Sequence, residues 1–133
     1  MERQEILDSI SSYFEFRTDI HTVIVYGSVA GGNYGKESDV DIALASSTPL
    51  GYKGLLRMNT DLQLKLHRNI DLIDLDKAKG LIHYKIISKG LRLKYSGREL
   101  SAHMIRALDF KTDFLPQLTA MQIKRIEKTA YGS

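Results

Sequence analysis

The 133-residue chain has no cysteine and no tryptophan. Without thiols it can have no disulfide framework, zinc–thiolate site, iron–sulfur cluster or cysteine nucleophile. Long apolar runs are also missing. None approaches the roughly 20 residues that a membrane-spanning helix needs, so no membrane association is expected. The first residues, Met-Glu-Arg-Gln-Glu, are charged and lack the apolar core of a secretory leader, which points to a cytoplasmic protein. There are only two prolines, Pro49 and Pro116, and no repeat or low-complexity stretch that would mark a linker. What remains is an ordinary globular composition, 43% hydrophobic and 26% charged. A chain of this length buries a full core, and a single domain over residues 1–133 is expected.

The net charge of +3 hides an asymmetry. Residues 1–50 carry 3 basic and 8 acidic side chains, and residues 51–133 carry 16 basic and 8 acidic ones. An acidic front and a basic back suit a protein that gathers metal in one region and phosphates in another, although most such charges are solvated helix faces.

Hydrophobic periodicity gives the elements. Ile6, Ile10, Tyr13 and Phe14 recur at three- and four-residue spacing, predicting an amphipathic helix over 2–16. Thr22–Tyr26 is β-branched and aromatic and ends at a glycine, as a buried strand does. Asp39–Leu44 alternates polar and apolar, which puts both carboxylates on one face of a strand. Leu55, Met58, Leu62 and Leu66 mark a helix over 52–67, and 70–75 reads as a third strand. Asp76 is expected to cap a helix running to about Ser88, closed by a left-handed Gly90. Leu91–Tyr95 reads as a fourth strand, and a helical pattern runs from Ser101 with a break near Pro116. The expected fold is α/β, a mixed sheet of about four strands flanked by helices, with helices at the C-terminus.

The chemistry concentrates between Tyr26 and Asp41, in the sequence Tyr-Gly-Ser-Val-Ala-Gly-Gly-Asn-Tyr-Gly-Lys-Glu-Ser-Asp-Val-Asp. A strand ending at Gly27 lets backbone approach a ligand closely. Ser28 then opens a short helix, where its hydroxyl and the exposed amides can hold phosphate oxygens. The chain returns with Asp39 and Asp41 on one face. Paired carboxylates repel unless a cation bridges them, and hard oxygen ligands of this kind suit Mg²⁺ held by one or two carboxylates plus substrate phosphates. A phosphate-gripping turn beside a carboxylate pair is the apparatus of metal-assisted nucleotidyl transfer.

This block resembles the Gly-Ser…Asp-x-Asp signature of the DNA polymerase β nucleotidyltransferase superfamily, with Gly27, Ser28, Asp39 and Asp41 in the motif positions. Asn69–Leu75 is similar to the strand that carries the family's third carboxylate, which points to Asp71. Asp74 lies an odd number of residues away, so it is expected to face the other side and to serve a turn or cap. The length and the segment from Asp71 to Tyr95 resemble the minimal nucleotidyltransferases (MNT), antitoxins of HEPN-type ribonuclease toxins. The resemblance implies a polymerase β-like fold and a transfer of AMP from ATP to a tyrosine hydroxyl of a cognate toxin. It also implies two Mg²⁺ ions at Asp39, Asp41 and Asp71, with Asp71 accepting the proton, and triphosphate contacts at Gly27 and Ser28. Two other readings stand beside it: an antitoxin that only binds and occludes its toxin, and a nucleotidyltransferase acting on RNA or a small-molecule hydroxyl. The sequence departs from many relatives at Val29 and Gly31, where they place arginines; Lys36, another basic side chain or a partner is expected to compensate.

The other features read as structure first. His21, His67, His83 and His103 are scattered without metal-ligand spacing and are expected at surface or boundary positions. The basic run from Lys79 to Arg98 contains no acid; it reads as an exposed helix and edge strand, with an RNA or partner surface as the alternative. Tyr26 is expected to pack beside the motif, while Tyr34 and Lys36 are candidates to touch nucleotide. The apolar residues Phe110, Phe114, Leu115 and Leu118 are expected to be mostly core, with a partner face as the alternative.

Overall fold

Two apolar clusters on opposite faces of one sheet organise the chain. The computed structural model describes residues 2–130, except for the side chains of Ile123 and residues 126–130. Helix α1 (Arg3–Phe14) leads into β1 (Ile20–Tyr26), the short α2 (Gly27–Gly31), β2 (Val40–Ser46), α3 (Tyr52–Leu66) and β3 (Ile70–Asp74). After a single 3₁₀ turn at Leu75–Lys77 come α4 (Gly80–Lys89), β4 (Leu91–Lys94), α5 (Gly97–Asp113) and α6 (Leu115–Ala130). The sheet order is β3-β2-β1-β4. β1 runs antiparallel to both β2 and β4, whereas β2 and β3 are parallel. The mixed α/β architecture is the one the sequence pattern predicts.

Strand alternation sorts the side chains. Val23, Val25, Val40, Ile42, Leu44 and Ile70 point to one face, where Ile6, Ile10 and Phe14 of α1 and Met58, Leu62 and Leu66 of α3 cover them. Ile24, Ala43 and Ala45 point to the other and meet Ile86 and Ile87 of α4 and Leu100 and Ala107 of α5. The alanines on this second face let α4 come close. Gly90 shows how close: a β-carbon there would run into the Ile24 side chain and the Ile86 carbonyl.

Several local expectations are corrected. Gly90 is extended, with φ −71° and ψ 155°, so it serves close packing rather than a left-handed cap. Asp76 caps no helix; Asp74 accepts a hydrogen bond from the Asp76 amide at 3.0 Å and caps the 3₁₀ turn, and α4 starts only at Gly80. Helix α5 begins at Gly97, earlier than Ser101. The aromatic stretch is not core: Phe114 and Leu118 are exposed and Phe110 is half-buried, so α5 and α6 present apolar surface with Ile105, Leu108 and Met121. No described helix is long and apolar enough to cross a membrane.

The histidines give the largest surprise. His83 and His103 are 2% and 7% exposed. His83 Nε2 lies 2.9 Å from His103 Nδ1, and His103 Nε2 lies 2.8 Å from Asp76 Oδ1. A carboxylate only accepts, so His103 Nε2 carries a proton; in the neutral ring its Nδ1 then accepts from His83 Nε2–H. The chain from the 3₁₀ turn through α5 to α4 is therefore satisfied in one tautomeric order. Burial, with the positive charge of Arg106 and that of a protonated His103, lowers the His83 pKa from 6.5 to about 4. The unfolded chain therefore binds a proton in a range where the folded one does not. This group's contribution is fully present above pH 6.5 and is lost as the pH falls toward 4. We expect unfolding titrations to show about 2–3 kcal/mol less stability at pH 4 than at pH 7 from this site, and His83→Gln to remove that part of the slope; an unchanged slope in the variant would count against the assignment.

Candidate active site

β1 ends at Tyr26, and Gly27 turns the chain with φ +73°. Side chains rarely adopt that backbone conformation, and a β-carbon at Gly27 would also collide with the Asp41 carboxylate. The glycine is required twice over, and its main chain lies against Asp41. Helix α2 begins at this turn. Gly32, at φ +80°, ends it, with the Gly32 and Asn33 amides donating to the Val29 and Ser28 carbonyls. The first-turn amides have no partner within the helix, and the half-buried Ser28 stands among them. At the opposite end, Arg3 of α1 donates to the Val29 and Ala30 carbonyls at 2.8 and 2.6 Å. This matches a cation to the negative pole of the helix.

The sheet register brings the carboxylates together. Asp41 of β2 pairs with Asp71 of the parallel β3, and Tyr26 of β1 pairs with Asp41. Directly paired residues share a face, so Asp71, Asp41 and Tyr26 form a row across three strands. Asp39 stands one residue before β2 and is exposed. Burial raises the Asp41 pKa, and the negative charges of Asp71 and Asp39 raise it further. Tyr26 is half-buried, and its phenol is pushed well above the ordinary range by burial and then by Asp71 and Asp41. Asp74 is occupied at the 3₁₀ turn.

A half-buried carboxylate whose pKa is raised further by two neighbouring negative charges calls for a cation. Among the described residues no three acidic or imidazole groups close on a metal by themselves. Asp41 and Asp71 with Asp39 beside them are an all-oxygen set. That set fits a Mg²⁺ that takes its remaining ligands from water and phosphate.

The structure places the two turn positions at which the family resemblance leads arginines to be expected. Val29 is buried in the core under α1, and Gly31 is exposed. Lys36 lines a cleft of about 380 Å³ with Glu37, Gln63, His67, Arg68 and Asn69. Within the basic run, Lys94 donates to the Phe14 carbonyl at the end of α1 and to the Arg17 carbonyl beyond it, and Arg92 to the Ile87 carbonyl. Sequence reasoning missed Arg68, which bonds the loop before Asp39 and has no local motif to reveal it.

The Polymerase beta, Nucleotidyltransferase family model matches residues 8–99. The chain belongs to this nucleotidyltransferase family. The matched span runs from α1 into α5 and contains Gly27, Ser28, Asp39, Asp41 and Asp71. No curated protein matches the sequence. Solved structures share the nucleotidyltransferase fold over nearly the whole chain. One is a toxin–antitoxin with AMP-PNP, at TM-score 0.65 and 18% identity over 94% of both chains. Another is a complex of MNT antitoxin with tri-AMPylated HEPN toxin of Shewanella oneidensis, at TM-score 0.69 and 15% identity over 94% of this chain and 99% of that one. A third is a MntA–HepT toxin–antitoxin, at TM-score 0.67 and 15% identity over 92% and 98%.

Gly27→Ala tests the turn independently of any activity. The added β-carbon meets both a strained φ and Asp41, so we expect a loss of about 2–4 kcal/mol in denaturant unfolding. A variant as stable as the parent would show that the turn has another conformation available.

Proposed function

We propose that this nucleotidyltransferase is an antitoxin that transfers AMP from ATP to a tyrosine hydroxyl of a cognate HEPN-type ribonuclease toxin and so inactivates it. The observation that carries the reading is the Asp71–Asp41 pair set against the Gly27–Ser28 turn, beside Asp39. The fold shared with MNT antitoxins, one seen with a tri-AMPylated toxin and another toxin–antitoxin with AMP-PNP, supports the choice of substrate and acceptor. The exposed apolar surface of α5 and α6 supports a protein partner.

In this reading Ser28 and the first amides of α2 bind the β- and γ-phosphates, aided by the positive pole of the helix. Asp39, Asp41 and Asp71 would hold two Mg²⁺ ions, which would neutralise triphosphate charge and acidify the acceptor hydroxyl. Asp71, the most exposed member of the strand row, accepts the tyrosine proton. A phenol with a free pKa of about 10 needs less activation than a sugar hydroxyl. The tyrosine oxygen then attacks the α-phosphorus in line, forming the new P–O bond as the bond to pyrophosphate breaks. Tyr26, with its elevated pKa, keeps its proton and lines the row.

The deciding experiment incubates the chain with α-labelled ATP, Mg²⁺ and the product of the adjacent gene. Label on the partner's tyrosine is expected, with at least about a thousand-fold loss of rate for Asp39→Ala or Asp41→Ala. Asp71→Asn is expected to bind ATP but to transfer about 10²- to 10⁴-fold more slowly. Inhibition of the partner without label, equally strong with Asp39→Ala, would establish occlusion instead. Label on RNA or a small molecule alone would keep the chemistry and overturn the acceptor.

A further inference from the structure

Of the three carboxylates, Asp39 alone stands outside the sheet. β2 starts at Val40, whose amide donates to the Asn69 carbonyl at 2.9 Å. The preceding loop has no strand pairing and must be held by other means. It closes partly on itself: Ser38 Oγ accepts from the Gly35 amide at 2.7 Å, and the Ser38 amide donates to the Gly35 carbonyl at 3.3 Å. The remaining restraint comes from one side chain. A single guanidinium nitrogen of Arg68, Nη1, donates to the Gly35 carbonyl at 2.8 Å and to the Ser38 carbonyl at 3.1 Å. The guanidinium carbon lies 5.4 Å from the centre of the Tyr34 ring, within range of a cation–π contact.

Arg68 is itself well anchored. His67 takes the left-handed conformation that ends α3, at φ +55°, and turns the chain back toward β3. Asn59 of α3 donates to the Ile70 carbonyl at 2.8 Å and fixes the start of that strand. Thus α3 and β3 hold Arg68, Arg68 holds residues 34–38, and Asp39 follows immediately. These contacts reach the loop and Tyr34, which packs on the edge of the first apolar cluster, and none of the fully buried residues of either cluster, so the side chain adds little to the core.

We infer that Arg68 is a positioning residue that fixes Asp39 against Asp41 and thereby sets how tightly the site takes a metal–nucleotide. The inference rests on the nucleotidyltransferase reading above. A flexible Asp39 would have to be ordered at each binding event, and that entropy would be subtracted from affinity. Groups that orient a metal ligand without touching the metal have effects of 10- to 100-fold on affinity.

The test titrates Mn²⁺ with an ATP analogue blocked at the α–β bridge into the full chain by calorimetry. Arg68→Met keeps the apolar stem and removes both donors. It is expected to weaken binding about 10- to 100-fold and to accelerate amide exchange at residues 38–40 in the free protein. Arg68→Lys keeps a charged donor for the loop carbonyls without the planar guanidinium fork and is expected to fall between. Adding Arg68→Met to Asp39→Ala is expected to cost nothing further, because the positioned group is gone. Wild-type-like binding by Arg68→Met, unchanged exchange at 38–40, or losses that multiply in the double variant would each overturn the inference. A wild-type chain that does not bind the probe would overturn the nucleotidyltransferase reading as well.

Discussion

The arrangement of the site depends on the repulsion between Asp41 and Asp71. Parallel pairing of β2 and β3 puts them directly opposite each other on one face, where two negative charges are unfavourable without a counter-ion. A fold selected only for stability would place apolar side chains in that row, as the same two strands do one step further along with Ala43 and Ile73. The cost is localised to one end of the sheet. Burial and like charge both raise Asp41, and the backbone turn at Gly27 packs against it so closely that no side chain fits.

The rest of the molecule holds that end rigid. One apolar cluster locks α1 and α3 to the sheet, and the other locks α4 and α5. Small residues make the second contact close, with Ala43, Ala45 and Gly90 allowing α4 to lie on the strands. Polar links finish the edges. Arg3 ties α1 to the end of α2, Lys94 ties β4 to the end of α1, and the Asp76–His103–His83 chain ties the 3₁₀ turn to α5 and α4. Each supplies partners for groups that burial would otherwise leave unsatisfied.

Much of this was legible in the residue pattern. The strand ending at Gly27 and the short helix at Ser28 follow from hydrophobic patterning and turn chemistry, which are local; the choice of Asp71 comes from the family resemblance, with alternation only setting Asp74 on the other side. The histidine chain was not legible, since His83 and His103 are 20 residues apart and no ligand spacing links them. A glycine after a helix reads as a left-handed cap, but Gly90 is extended. Only the approach of Ile24 shows that the missing β-carbon matters for packing. Asp76 differs from its local reading for a similar reason: the cap falls to Asp74, and the Asp76 carboxylate is taken by a histidine from α5.

Residue order alone settles where the glycine turn falls and which family the chain belongs to, because a short motif survives without knowledge of distant contacts. It wrongly extends β2 to Asp39, which stands one residue before the strand and does not share a strand face with Asp41. It cannot say which strands are neighbours. Pairing register sets Asp71 opposite Asp41, and the packing of α3 against the sheet brings Arg68 to the loop before Asp39. Those contacts join segments about thirty residues apart in the sequence. They exist because burying two apolar faces at once leaves the chain one way to bring those segments together.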